Sequence, residues 1–160
     1  MPRPKIPELD GVDRALVLAL SQNARATGTA LAAAAGIAES TVSLRLKRLQ
    51  RAGVIAGYRL DIDLAAAGIP LQALIAVRLA KHSRAQIDAF RTAAPHWPGV
   101  LEILHTAGAE DYLLHVAARD ADELRAFVLD YLTGHPAVAR TETNLIFENA
   151  RADGWQRLLE

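Results

Sequence analysis

The side chains best suited to chemistry crowd into one segment, Glu39 to Ala52, which carries Ser40, Thr41, Ser43, Leu44, Arg45, Lys47, Arg48 and Arg51. Hydroxyls, an ammonium and guanidinium forks are the groups that meet nucleobase edges and phosphate oxygens. If this segment is a helix, Ser40, Ser43, Leu44 and Lys47 share its outward face with Thr41 beside them, and these are the candidates for base-edge contact. Arg45, Arg48 and Arg51 flank that face and suit phosphate contacts, which set affinity and salt dependence rather than sequence choice. Taken singly, first-turn serines and a row of arginines are also ordinary features of a solvated helix. Arg3 and Lys5, in a proline-spaced arm, are candidates for further backbone contacts.

The segments before it supply a scaffold that presents such a helix. Leu9, Val12, Leu16 and Leu20 recur at helical spacing with Val17 adjoining them. Thr27 is placed to cap a second helix, Gly28 to Ala35, and Gly36 stands where a left-handed residue ends it. Small alanines let two helices cross closely, while Ile37, Val42 and Leu46 join the second helix to the third, which stops at Gly53. This is helix-turn-helix grammar, and a helix held in that way lays its N-terminal half in a DNA major groove. Residues 54–62 alternate like a strand or small wing, and an Ala/Gly stretch over 63–70 ending in Pro70 reads as a linker.

Charge agrees with this division. The chain of 160 residues is neutral, yet residues 1–60 hold nine basic and four acidic residues and the remainder nine basic and fourteen acidic. A polyanion would therefore meet the first part. With no cysteine there is no disulfide framework and no thiolate zinc site. His82, His96, His105, His115 and His135 are dispersed without helical metal-ligand spacing, so no metal and no cofactor is expected. Phosphate-binding glycine motifs and a nucleophile elbow are absent, which argues against an enzyme. No apolar run approaches a membrane span and no signal-peptide pattern opens the chain, so the expected location is cytoplasmic.

The second half contains a repeat. Strand-like Leu71–Ala80 leads to a cap at Ser83, a helix carrying Ile87 and Phe90, and a new strand at Val100. Strand-like Tyr112–Ala118 leads to a cap at Asp120, a helix carrying Leu124 and Phe127, and a last strand opening at Val138. Two β-α-β units in tandem give βαββαβ, the ferredoxin-like topology, so the fold class is α+β. Its domains are expected at 1–62, with the linker at 63–70, and at 71–160. Ala73, Ile75 and Val77 should face two covering helices, whereas Leu74, Ala76, Leu113 and His115 lie on the other face. That second face is too apolar for water, so a partner subunit is expected to cover it. Trp97 is expected to pack in a loop.

In order and spacing, Leu9–Asp13, Gly36–Val42, Arg45–Leu49, Gly53–Tyr58, Thr106–Leu114 and Pro136–Thr143 resemble the Lrp/AsnC (leucine-responsive regulatory protein/asparagine-type) transcription regulators. The resemblance spans nearly the whole chain. It implies a winged helix-turn-helix on double-stranded DNA and a ferredoxin-like domain that forms a homodimer, often onward to an octamer. It also implies an amino acid or related small-metabolite effector in clefts between subunits. The matching turn singles out Gly108, Asp111 and Tyr112, with Thr106, Thr141 and Thr143 in reach through their hydroxyls. Asp111 would meet an α-ammonium and Gly108 would let backbone groups approach a carboxylate. Gly108 and Asp111 equally suit a plain hairpin turn, and Tyr112 a core ring.

Two positions depart from the family. Ala38 stands where a serine commonly caps the recognition helix, a loss of about 1 kcal/mol unless Ser40 compensates. The second helix is rich in alanine and lacks an acidic residue often found there. The expected function is therefore sequence-specific transcription regulation by an effector-sensing oligomer. The alternative is a small-molecule-binding oligomer whose helix-turn-helix makes protein contacts instead.

Overall fold

Helix caps define the first unit of the chain. The computed structural model describes residues 8–80, 84–150, 152 and 154–159. The arm with Arg3 and Lys5, the cap expected at Ser83, and His82 lie outside the described residues. Helix α1 (Gly11–Gln22) opens on a reciprocal cap, in which the Asp10 carboxylate accepts the Asp13 N–H at 2.8 Å and the Asp13 carboxylate accepts the Asp10 N–H at 3.3 Å. Helix α2 (Gly28–Ala35) opens on the Thr27 hydroxyl, which accepts the Ala30 N–H at 3.2 Å. It ends at Gly36, whose φ of 65° is the left-handed turn expected there.

Helix α3 (Glu39–Arg51) follows after two residues. Leu16, Leu31, Ala32 and Val42 form the buried centre of the three helices, with Val12, Leu20, Ile37 and Leu46 packed around it. Ala38 has the extended backbone of an N-cap but no side-chain bond caps the helix, so Ser40 does not replace the missing serine.

One expectation fails here. Among the described residues, 54–63 form no strand, and Tyr58, Leu60 and Ile62 are exposed. An alternating segment becomes a strand only when a neighbouring strand takes its backbone hydrogen bonds. Among the described residues none does so. The stretch read as a linker contains an ordered turn, in which Asp63 Oδ1 accepts the Ala66 N–H at 3.0 Å and the Ile69 N–H donates to Leu64 at 2.8 Å.

The second unit covers Ile62–Ala150. The short 3₁₀ helix Gly154–Leu158 groups instead with the first unit, where the Gln156 amide donates to the Ser21 hydroxyl at 3.0 Å.

In chain order the second unit holds β1 (Leu71–Leu79), α4 (Arg84–Ala93), β2 (Val100–His105), β3 (Tyr112–Ala118), α5 (Ala121–Phe127) and β4 (Val138–Ile146). The strands form one antiparallel sheet in the order β2-β3-β1-β4. Each β-α-β crossover skips one position, which the other repeat fills; this is the topology the repeat implied.

The alternation also falls as expected. Ala73, Ile75, Val77, Leu114 and Val116 are buried beneath the helices with Phe90, Leu124, Phe127 and Leu132. Phe90 has its ring centroid 5.4 Å from Trp97, 5.3 Å from Tyr112 and 5.4 Å from His135. Trp97 does pack in this cluster, against Tyr131 and Phe127 as well. Helix α5 continues as a π-helical turn over Val128–Thr133, which no sequence signal announced.

Candidate nucleic-acid interface and ligand turn

At 100° per residue, the buried edge of α3 is set by Val42, Leu46 and Leu49. Ser40, Ser43, Leu44 and Lys47 fall on the opposite side and are exposed, and Thr41 is half-buried beside them. Among the described residues no side-chain hydrogen bond or ion pair engages Ser40, Thr41, Ser43, Lys47 or Arg51. The helix-turn-helix therefore presents a short polar face with one large apolar group, Leu44, at its middle.

Arg45 and Arg48 behave differently. The Arg45 guanidinium is paired with Asp10 and lies 3.1 Å from Asp13, and the Arg48 guanidinium is paired with Asp13. The Asp13 side chain is 0% exposed. A buried carboxylate demands such partners, because an unpaired charge away from water is costly. The hydrogen bond from Arg45 leads the causes that hold the Asp10 carboxyl down to about 2, from an ordinary 3.8. These two arginines thus tie α3 to the start of α1, a role the sequence reading missed. Arg51 and Lys47 are the cations of α3 without an ion pair among the described residues.

Glu39 adds a second tie within the unit. Its carboxylate accepts the Thr29 hydroxyl at 3.1 Å, over the first turn of α2. A negative group is favoured there by the helix dipole.

The turn between β2 and β3 brings together some of the expected ligand residues. The Thr106 hydroxyl donates to the Glu110 carbonyl at 2.7 Å, and the Thr106 N–H donates to the Asp111 carbonyl at 3.0 Å. Asp111 Oδ2 accepts the Leu79 N–H at 2.8 Å, and the Asp111 N–H donates to Val77 at 3.0 Å. Asp111 thereby splices the turn to the end of β1, where the pairing with β4 shifts register.

Gly108 is exposed, with open space on the side where a Cβ would stand. Tyr112 is a core ring, stacked on His105 at 4.7 Å, and burial raises its phenol. Thr141 and Thr143 pair with Val77 and Ile75 on the edge strand β4, Thr141 half-buried and Thr143 exposed. Both therefore lie on the helix-side face of the sheet, with β1 between Thr141 and Tyr112.

The other face of the sheet carries Leu74, Ala76, Leu113 and Leu104 in its middle, none of them fully buried. His115 Nε2 lies 2.8 Å from Gln72 Oε1 on the same face. No helix of the described residues is long and apolar enough to cross a membrane.

A helix-turn-helix unit followed by an antiparallel βαββαβ unit is the architecture of a two-part transcription regulator with a ligand-binding domain. Residues 9–50 match the AsnC-type helix-turn-helix domain and residues 72–155 the Lrp/AsnC ligand binding domain. The chain belongs to the Lrp/AsnC family of transcription regulators.

Its relatives include the HTH-type transcriptional regulator AldR of Mycolicibacterium smegmatis, 46% identical over 90% of this chain and 84% of that protein. The leucine-responsive regulatory protein of Rhizobium meliloti is 32% identical over 90% of this chain and 92% of that protein. Among solved structures, a Neisseria meningitidis transcriptional regulator in complex with L-Met superposes with a TM-score of 0.85 at 28% identity, covering 91% of this chain and 94% of that one.

Proposed function

We propose that the protein binds double-stranded DNA in a sequence-specific way through α3 and that its second unit both pairs subunits and takes up an amino-acid effector. One observation carries the first half: the outward face of α3 is exposed and unengaged, while its inward face is fixed by packing and the turn before it by the left-handed cap at Gly36. In this reading Ser40, Ser43, Leu44 and Lys47 meet base edges, Thr41 lies at their margin and Arg51 meets phosphate. Arg45 and Arg48 hold the helix at the correct pitch, and any phosphate contact they make is made from within the ion-pair network.

The second half rests on the exposed turn at Gly108 and on the apolar outer face of the sheet. A second copy of the chain set against Leu74, Leu104 and Leu113 removes that surface from water and brings two copies of α3 into one assembly. The relative solved with L-Met supports an amino acid as the class of effector. In this chain the Asp111 carboxylate already serves Leu79, so it shapes the turn, and the exposed backbone around Gly108 is the part left for the effector's carboxylate.

A salt-titrated binding assay tests the reading. Affinity for genomic duplex fragments should fall by orders of magnitude between about 50 and about 200 mM salt as phosphate contacts are screened. Binding that ignores salt, or none in dilute buffer, would favour a helix-turn-helix used for protein contacts. Calorimetry against the twenty amino acids, with sedimentation run in parallel, tests the effector and the oligomer.

A further inference from the structure

Leu44 is 70% exposed, in the second turn of α3 and nearly opposite that helix's buried edge. The other branched apolar residues of this helix, Val42, Leu46 and Leu49, all face inward. Its neighbours on the outward face are Ser40, Ser43 and Lys47, and beside the two short hydroxyls the isobutyl group stands proud of the surface. The ion pairs of Arg45 and Arg48 with Asp10 and Asp13 draw those two long cations toward α1 and away from this patch. No described residue packs over it.

Within a major groove, one feature of the base edges is apolar: the C5-methyl of thymine. A leucine side chain offers that methyl dispersion contact and shelter from water but no hydrogen bond. Against cytosine it leaves the N4 donor unsatisfied, and against guanine two acceptors. We infer that Leu44 reads a thymine methyl, so that each recognition helix requires one thymine at a fixed place in its half-site. This rests on the DNA-binding reading above and adds to it the chemical identity of one contacted group.

The test begins by selecting bound duplexes from a random-sequence library. Single thymines of the best duplex are then replaced by deoxyuridine, which removes the methyl and leaves the pairing edge intact. Wild-type protein should lose about fourfold in affinity at one thymine per half-site, the value of one sheltered methyl. It should be indifferent at the other thymines. Leu44→Ala should bind the two duplexes equally, and Leu44→Met, which keeps an apolar tip, should keep the preference. Because Leu44 is exposed, both variants should melt with the wild type.

A wild type indifferent to every deoxyuridine, or a Leu44→Ala variant that keeps the wild-type loss, overturns the assignment while leaving DNA binding intact. Failure to enrich any duplex overturns both together.

Discussion

The outward face of α3 and the turn at Gly108–Asp111 are both candidate sites, but their polar groups are spent differently. On α3 the hydroxyls and the Lys47 ammonium have no described partner, and the apparatus that fixes them lies on the far side of the helix. At the turn the Thr106 hydroxyl and Asp111 Oδ2 are engaged in holding the turn itself. A site of the first kind is ready to bind as it stands. One of the second kind offers shape and backbone, and gains its remaining polar partners from whatever packs against it.

The largest expected effect comes from removing what fixes α3. Asp13→Ala leaves Arg48 without its partner and Arg45 with Asp10 alone, and should destabilise the first unit by about 2 to 3 kcal/mol, below the usual cost of a broken buried pair because both arginines reach water. Hydrogen exchange should then quicken in α1 to α3 and stay unchanged in the sheet. Exchange that stays slow in α3 would mean that apolar packing alone sets its pitch.

Gly99→Ala is the matching probe of the second unit. Gly99 has φ of 81°, and a Cβ there would stand 2.5 Å from the Ala117 carbonyl oxygen. A loss of about 1 to 3 kcal/mol is expected, confined to the sheet and read by the same exchange experiment.

Arg51→Ala should leave stability unchanged and reduce the slope of log affinity against log salt by about one. Arg45→Ala should do the reverse, lowering the melting temperature more than it changes the slope. Equal slopes for both variants would erase the distinction between phosphate-facing and framework cations.

His135 gives a smaller, pH-dependent effect. Burial lowers its pKa below the ordinary 6.5, and its Nδ1 accepts the Ala137 N–H at 3.1 Å, so the folded unit holds it neutral. The unfolded chain binds the proton first. The contribution to stability is therefore complete above about pH 6.5 and is lost as pH falls through the depressed folded value. Melting curves between about pH 7 and about pH 5 should show this fall, and His135→Gln should make it shallower.

The smallest effect is a gain. Ala38→Ser supplies a hydroxyl where the backbone already has N-cap geometry and should stabilise the first unit by about 1 kcal/mol.

Much of this molecule was legible in its sequence. Gly36 and the alternation of Ala73, Ile75 and Val77 are local signals, and each declares its conformation within a few residues. The repeat, once seen, fixed the strand order.

What escaped were pairings whose meaning depends on distant residues. Asp13 reads as an acid in a first helical turn, and only the fold brings it to arginines more than thirty positions away. Asp111 reads as a turn former or a ligand, and its partner is the backbone of Leu79, which has no sequence signature. Residues 54–62 misled for a related reason, since alternation records a tendency to pair but not the presence of a mate.

Asp10 has two duties. It caps α1 and grips Arg45, so the place where one helix begins and the tilt of another are set by a single carboxylate. Because its proton leaves at about 2, this latch stays shut through every mildly acidic medium. Acidification that protonates His135 would slacken the sheet unit while α3 keeps its tilt against α1.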